Sequence, residues 1–374
     1  MKVVIALNTA WNLFNFREGL IRALIANGYE VVAVAPHDEY AARLAALGCR
    51  FEALPMDNKG THPGRDLLLF FRFLKLLSNE RPDVFLGYTV KPNVYGSLAA
   101  HVLGIPVVNN IAGLGAVFMR DNWLTRLVRL LYKTALSQSK HVFFQNNEDL
   151  QLFIEQGLVK PDKVSRLPGS GINLDTFSYT PLQTLENRPF CFLLVARLLW
   201  DKGVGEYVEA ARILHRKYPN VKFQLLGFLD VKNPSAVSSE QMAAWVKQGI
   251  VEYLGVADDV KPHLIAADCV VLPSYREGVP RSLLEAAAIG RPIVTTNTTG
   301  CRDAVDDGVN GLLCQVRDAK DLADKMRNML EMTALERDML GAAGRKKMEH
   351  EFDEKIVIDR YLHVIQRILP VTSP

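Results

Sequence analysis

Asp268-Cys-Val-Val-Leu-Pro-Ser-Tyr-Arg-Glu-Gly-Val-Pro-Arg-Ser-Leu-Leu-Glu-Ala-Ala-Ala-Ile-Gly290 changes its hydrophobic period once, and the point of change decides the architecture. Cys269–Leu272 is an apolar run of strand length, whereas Pro280–Ile289 has proline in a first helical turn and glycine just past the end. Glu277 and Gly278 therefore fall in a strand-to-helix loop. Glu285 lies on the second helical turn, roughly 7 to 8 Å beyond the helix start at about 1.5 Å per residue. Between the two carboxylates stands a helix N-terminus, whose free N–H groups and partial positive charge suit a phosphate. A nucleotide sugar, with hydroxyls at both ends and phosphates in the middle, fits that spacing. Taken alone, Glu285 reads as a solvated helix residue.

A second stretch supports the ligand reading. In Phe190-Cys-Phe-Leu-Leu-Val-Ala-Arg-Leu-Leu-Trp-Asp-Lys-Gly-Val204 a strand ends in Arg197 and Lys202 just before another helix. Two cations at the C-terminal end of a strand sit where open α/β sheets bind ligands. Helix starts favour acids, so cations there call for an anion.

These elements, Arg197-x4-Lys202-Gly203 and Glu277-x7-Glu285, resemble the retaining nucleotide-sugar glycosyltransferases of the large group 1 (family 4) type. The chain looks closest to bacterial enzymes that extend lipid-linked or surface glycans. That likeness rests on Asn12-Leu-Phe-Asn-Phe-Arg17, Lys91-Pro-Asn-Val-Tyr-Gly96 and Asn109-Asn-Ile-Ala-Gly-Leu-Gly115. The resemblance implies the GT-B fold, an α/β architecture of two Rossmann-like doubly wound domains facing a cleft. It implies transfer of a hexose or N-acetylhexosamine from a UDP-sugar to a hydroxyl of a lipid-linked or surface glycan. Arg197 and Lys202 would stabilise the departing diphosphate, Glu277 would bond sugar hydroxyls, and Glu285 the ribose. Gly278, Val279, Pro280, Arg281, Ser282 and Leu254 join the donor-binding candidates; Pro280 itself has no N–H to give. A nucleotide-sugar epimerase of the same fold and a non-catalytic nucleotide-sugar binder are the competing readings.

Two departures from the family concern the first half. Where many relatives carry a glycine pair after the first strand, this chain has Asn8-Thr-Ala-Trp-Asn12, so Asn8, Thr9 and Asn12 are expected to supply side-chain contacts. Where many place a histidine after the fourth strand, this chain has Gly87-Tyr-Thr-Val-Lys-Pro-Asn93, and Lys91 is the candidate for an anionic acceptor. Gly113 and Gly115 lack the third glycine of a dinucleotide fingerprint, position 118 being Phe, which argues against a dehydrogenase and for an acceptor-side loop.

Composition narrows the class. A chain of 374 residues, 49% hydrophobic and 23% charged, is globular and long enough for two cores. A net charge of +3 gives little support to nucleic-acid binding. The five cysteines are scattered, without metal-ligand spacing, and suit a reducing cytoplasm. The acidic pairs Asp258-Asp259 and Asp306-Asp307 raise the question of a metal, but Asp258 reads as the N-cap of a helix over Val260–Ala266 and the cationic pair already offers neutralisation. No metal and no cofactor beyond the donor are expected. The opening residues form a strand rather than a signal peptide, and no apolar run reaches the roughly 18 residues of a membrane span. Residues 65–77 and 123–133 combine bulky apolar side chains with Arg and Lys, so peripheral contact with the inner face of an anionic cytoplasmic membrane is an expectation beside the cytoplasmic location.

Strand-length apolar runs alternate with helical patterns up to Leu167, lapse across Gly169–Arg188, and resume at Phe190. The expected division is an acceptor domain over 1–178 and a donor domain over 179–353. By the resemblance, a last helix from about 354 packs back on the first domain.

Overall fold

The computed structural model describes residues 1–57, 62–113, 123–182, 188–231 and 233–369. The chain divides into two compact units, Met1–Ser170 with the segment from Glu354 onward, and Gly171–Asp353.

The first unit is built on strands β1 (Lys2–Ala6), β2 (Glu30–Ala35), β3 (Arg50–Ala53), β4 (Val84–Tyr88), β5 (Val107–Ile111), β6 (His141–Phe144) and β7 (Val164–Arg166). All pair in parallel, in the order β3-β2-β1-β4-β5-β6-β7. Val3, Val4, Ile5 and Ala6 are all fully buried, as a strand covered on both faces requires. Helices α1 (Ala10–Ala26) and α2 (Ala41–Ala46) cover one face. On the other lie α3 (Pro63–Glu80), α4 (Ser97–Val102), α5 (Trp123–Ser137) and α6 (Asn147–Glu155), with a π-helical turn, Pro92–Gly96, leading into α4.

The second unit repeats the plan with β8 (Cys191–Val195), β9 (Lys222–Leu226), β10 (Glu252–Tyr253), β11 (Cys269–Leu272), β12 (Ile293–Thr296) and β13 (Gly311–Cys314). Their order is β10-β9-β8-β11-β12-β13, again all parallel. Helices α7 (Val204–His215), α8 (Ser239–Lys247), α9 (Lys261–Ala266), α10 (Arg281–Ile289), α11 (Cys301–Ala304), α12 (Ala319–Glu331) and α13 (Ala334–Lys347) surround it. Strand order reverses between β1 and β4 in one sheet and between β8 and β11 in the other. At such switch points the loops leaving two neighbouring strands part to opposite faces and open a crevice at their C-terminal ends.

A last helix, α14 (Glu354–Ile368), belongs to the first unit, where Val357, Tyr361 and Ile365 join the core beside α1. The division falls at Ser170 rather than after Ser178. Ile172 and Phe177 are buried in the second unit's core; the Ile172 N–H donates to Phe352 O at 2.8 Å and Arg345 donates to Phe177 O at 2.8 Å. Sparse apolar content made this stretch read as a connection, yet its two large side chains are core. α1 begins at Ala10 because the Thr9 hydroxyl caps it by accepting from the Asn12 N–H at 3.0 Å. Asp258 is not the N-cap of α9: Val260 takes that position without a side-chain cap, and Asp259 accepts from the Lys261 N–H at 3.0 Å. Among the described residues no helix is long and apolar enough to cross a membrane.

Candidate functional site

The switch point of the second sheet gathers the singled-out residues of that unit. β8 runs out at Val195, and the backbone of Ala196 is flanked so closely that a Cβ on Gly227 would lie 1.8 Å from Ala196 O. Arg197 follows, exposed, with no hydrogen bond or ion pair from its side chain among the described residues. A single 3₁₀ turn, Trp200–Lys202, then leads to Gly203, whose φ of +73° starts α7. A side chain at Gly203 would place its Cβ 2.1 Å from Pro273 O. The turn is thereby pressed onto the end of β11, and Asp201 O accepts from the Tyr275 N–H at 3.0 Å and the Ser274 hydroxyl at 3.2 Å.

The loop from β11 to α10 is held from its other side by the residues after β12. The Glu277 N–H donates to Thr299 O at 3.1 Å, and the Thr298 hydroxyl donates to Tyr275 O at 3.0 Å. Gly300, at φ +80°, approaches so closely that a Cβ would meet Gly278 O at 2.3 Å and Glu277 O at 2.6 Å. Lys202 and Glu277 form an ion pair across the switch point, with side chains only 18% and 13% exposed. Burial, and after it the Glu277 carboxylate, pushes the Cys301 thiol up to about 12, so this cysteine stays a protonated core group.

α10 starts without a side-chain cap. Pro280 takes the cap position in extended conformation, as its ring permits; Gly278 and Val279 join it to Glu277 in the loop, and Ser282 lies in the first turn. One turn on, Arg281 Nε donates to Glu285 Oε1 at 2.8 Å. Burial raises the Glu285 pKa despite that partner, and Asp259 adds to the rise. Leu254, half-buried, closes the edge beyond β10 and packs on the core beneath α10. Lys202 and Glu277 thus touch, Glu285 is engaged by Arg281, and Arg197 remains available.

The first sheet's switch point holds Asn8, Thr9, Asn12 and Lys91. Asn12 Nδ2 donates to Asn8 Oδ1 at 3.0 Å, so these two amides bond each other while Thr9 serves the helix. Lys91 is not an open cation: it reaches Asp66 on α3 at 2.8 Å, with both side chains largely covered. Gly113 is exposed at the end of β5, with φ +149°; Gly115 lies outside the described residues. Sequence reading missed the Tyr275 hydroxyl, which donates to Glu206 at 2.7 Å, and Arg317, stacked 4.5 Å over the Tyr275 ring. No spacing signal in the chain links those residues. Among the described residues no group of three His, Cys, Asp or Glu side chains converges as metal ligands would.

Two family models match: "Glycosyl transferase 4-like domain" over residues 16–169 and "Glycosyl transferases group 1" over 189–332. The chain is 32% identical, over 96% of both lengths, to N,N'-diacetylbacillosaminyl-diphospho-undecaprenol alpha-1,3-N-acetylgalactosaminyltransferase of Campylobacter jejuni. It is 27% identical, over 68% of both lengths, to UDP-Gal:alpha-D-GlcNAc-diphosphoundecaprenol alpha-1,3-galactosyltransferase of Escherichia coli. The structure of HepE from Anabaena in complex with UDP superposes with a TM-score of 0.78 over 98% of this chain and 100% of that one, at 18% identity. With both model matches in register with the two units, the chain belongs to the group 1 glycosyltransferases and is an enzyme of the GT-B fold.

Proposed function

We propose that the enzyme moves a hexose or N-acetylhexosamine, with retention, from UDP to a hydroxyl of a sugar carried on a polyprenyl diphosphate. The observation that carries this reading is the Lys202–Glu277 pair at the second switch point, beside open Arg197 and the uncapped start of α10. Without ligand the two charges neutralise each other. A nucleotide sugar offers each a better partner: diphosphate oxygens for Lys202, sugar hydroxyls for Glu277. Breaking the anomeric C–O bond leaves positive charge on the sugar and growing negative charge on the diphosphate. Lys202 as a point charge and Arg197 as a bidentate donor stabilise that state more than the ground state. Attack from the leaving-group face, with the departing phosphate taking the acceptor's proton, needs no protein nucleophile.

The Campylobacter and Escherichia relatives support the acceptor class, since both names specify a diphospho-undecaprenol carrier and an alpha linkage. HepE was captured with UDP, which supports the nucleotide. Charge neutralisation by Lys202 and Arg197 supports a reaction that needs no metal. A lipid-borne acceptor supports work at the cytoplasmic membrane surface, and α3 suits it: Leu67, Leu68 and Phe71 are 50 to 58% exposed on its first turns, beside Arg65.

A panel of UDP-sugars with a synthetic prenyl diphosphate-linked sugar, read by UDP release and by NMR of the product's anomeric centre, tests this reading. The expected product is an α-glycoside formed only with acceptor, at a rate unchanged by EDTA. Conversion of the donor into another nucleotide sugar without acceptor would make the enzyme an epimerase.

A further inference from the structure

Arg17, on the second turn of α1, is 5% exposed, yet its guanidinium makes no hydrogen bond or ion pair among the described residues, and its Nε is buried without a partner. An unpaired charge in such a place is strongly disfavoured. The chain solves the same problem elsewhere: Arg291, 1% exposed, donates to Leu264 O at 3.1 Å and Gly290 O at 3.4 Å. Arg17 has only the Tyr88 ring, 4.4 Å from its Cζ, a contact that leaves every N–H unspent.

The position is a ligand edge. Helical side chains lean toward the helix N-terminus, and α1 begins just past the C-terminal end of β1. Tyr88 is the last residue of β4, so Arg17 and Tyr88 meet at the first sheet's switch point. The Tyr88 hydroxyl is likewise buried, with the Tyr361 hydroxyl as its one polar neighbour among the described residues and no hydrogen bond of good geometry to it, and burial keeps it protonated as a donor. Behind it the Tyr361 hydroxyl accepts from Asn110 Nδ2 at 2.9 Å. Thr89, next in the chain, is held at φ +57°, a strained conformation for a β-branched residue of the kind that gathers at functional sites. Two acids of this edge are engaged elsewhere: Asp38 accepts from the Trp11 and Tyr40 N–H groups, and Asp66 holds Lys91; Glu354 packs on α1 at Gly19 and forms no ion pair with Arg17.

We propose that Arg17, with the Tyr88 hydroxyl, forms an anion subsite that takes a phosphate of a diphosphate ester, the acceptor's own diphosphate under the function proposed above. A guanidinium fork suits two oxygens of one phosphate.

The test is calorimetric titration of the full-length enzyme, with UDP saturating the donor site, by inorganic pyrophosphate and by farnesyl diphosphate. Wild type should bind both. Arg17→Met should weaken each at least about tenfold, the scale of a lost charge-assisted bond, and Arg17→Lys by less, with UDP affinity unchanged. Arg17→Met should also melt no lower than wild type, since it removes a buried charge that nothing pairs. Equal pyrophosphate binding by wild type and Arg17→Met overturns the proposal, as does a lower melting temperature with unaltered binding, which would make Arg17 structural. Weaker farnesyl diphosphate binding with unchanged pyrophosphate binding assigns the tail rather than the anion and overturns it too. A wild type that fails to bind UDP strikes the donor reading instead, while the pyrophosphate comparison still reads Arg17.

Discussion

At the scale of single residues, the Lys202–Glu277 pair resolves what two separate motifs left open. Sequence placed each on its own strand-to-helix loop; only the adjacency of β8 and β11 brings them into contact. Glu277→Gln keeps the shape and a neutral acceptor for Lys202, so the variant should fold, but it loses the charge that grips donor hydroxyls. Turnover should fall by about 10² or more, the scale of a lost transition-state donor or acceptor, with circular dichroism unchanged. Near-normal turnover in the folded variant would remove Glu277 from the reaction. Glu285 makes a different prediction. Burial raises its folded pKa above the unfolded value, so its favourable contribution is present at pH below the unfolded carboxylate value and is lost as pH rises through the folded one. Glu285→Gln should therefore melt above wild type at neutral pH, with the gap closing as pH falls into the carboxylate range, while donor affinity drops. A melting gap independent of pH would refute the assignment. The sequence disclosed these acids through their spacing from a helix start. It could not disclose that Arg281 is spent on Glu285 or Lys91 on Asp66, because those partners depend on how neighbouring side chains pack.

At the scale of elements, the site is shaped by glycines that let one loop press on another. Gly300 and Gly308 share a positive φ, +80° and +74°, but only Gly300 touches the site; nothing lies within 4 Å of a Cβ on Gly308. Gly308→Ala should cost only backbone strain, roughly 1–2 kcal/mol, with kcat/KM near wild type. Gly300→Ala carries at least that strain, its ψ being −40°, and also drives the Glu277 loop outward, so kcat/KM should fall at least about tenfold, since a shift of about 1 Å misplaces a catalytic group by that much or more. Equal kinetic effects from the two changes would mean the close approach is irrelevant to catalysis. α3 supplies the second prediction at this scale. Its buried face, Asp66, Leu69, Phe73 and Leu77, follows helical period, while Leu67, Leu68 and Phe71 face outward. Leu68→Glu with Phe71→Glu should abolish flotation with anionic vesicles and leave the melting temperature nearly unchanged; equal flotation of variant and wild type would clear α3 of any membrane role. The alternation of period was enough to read these helices and strands in order. Their ends were less legible: a two-residue β10 and the π-helical turn at Pro92–Gly96 are set by pairing and packing that local pattern does not encode.

At the scale of the whole molecule, the two units are not consecutive in the chain, since α14 belongs to the first while the second is one uninterrupted segment. Sequence pattern showed a helical end without showing which core it fills, because an apolar stripe specifies burial and not the partner that buries it. The packing gives the answer a measurable consequence. Val357, Val364 and Ile365 are at most 9% exposed, and each buried aliphatic side chain contributes about 1.5–3 kcal/mol. Together, before counting Tyr361, that is about 5–9 kcal/mol, a large part of the roughly 5–15 kcal/mol that holds a domain folded. A chain ending at Asp353 should therefore lose the first unit selectively. Amides of β1 and β4 should exchange orders of magnitude faster than in the full-length protein, while those of β8 and β11 keep their protection, because no residue of the second core has been removed. UDP should still bind the truncated chain with an affinity close to that of the full-length enzyme, whereas transfer should be abolished. Retained protection in β1 would show that α14 is dispensable to the first core, and loss of protection in β8 would show that the two units fold as one.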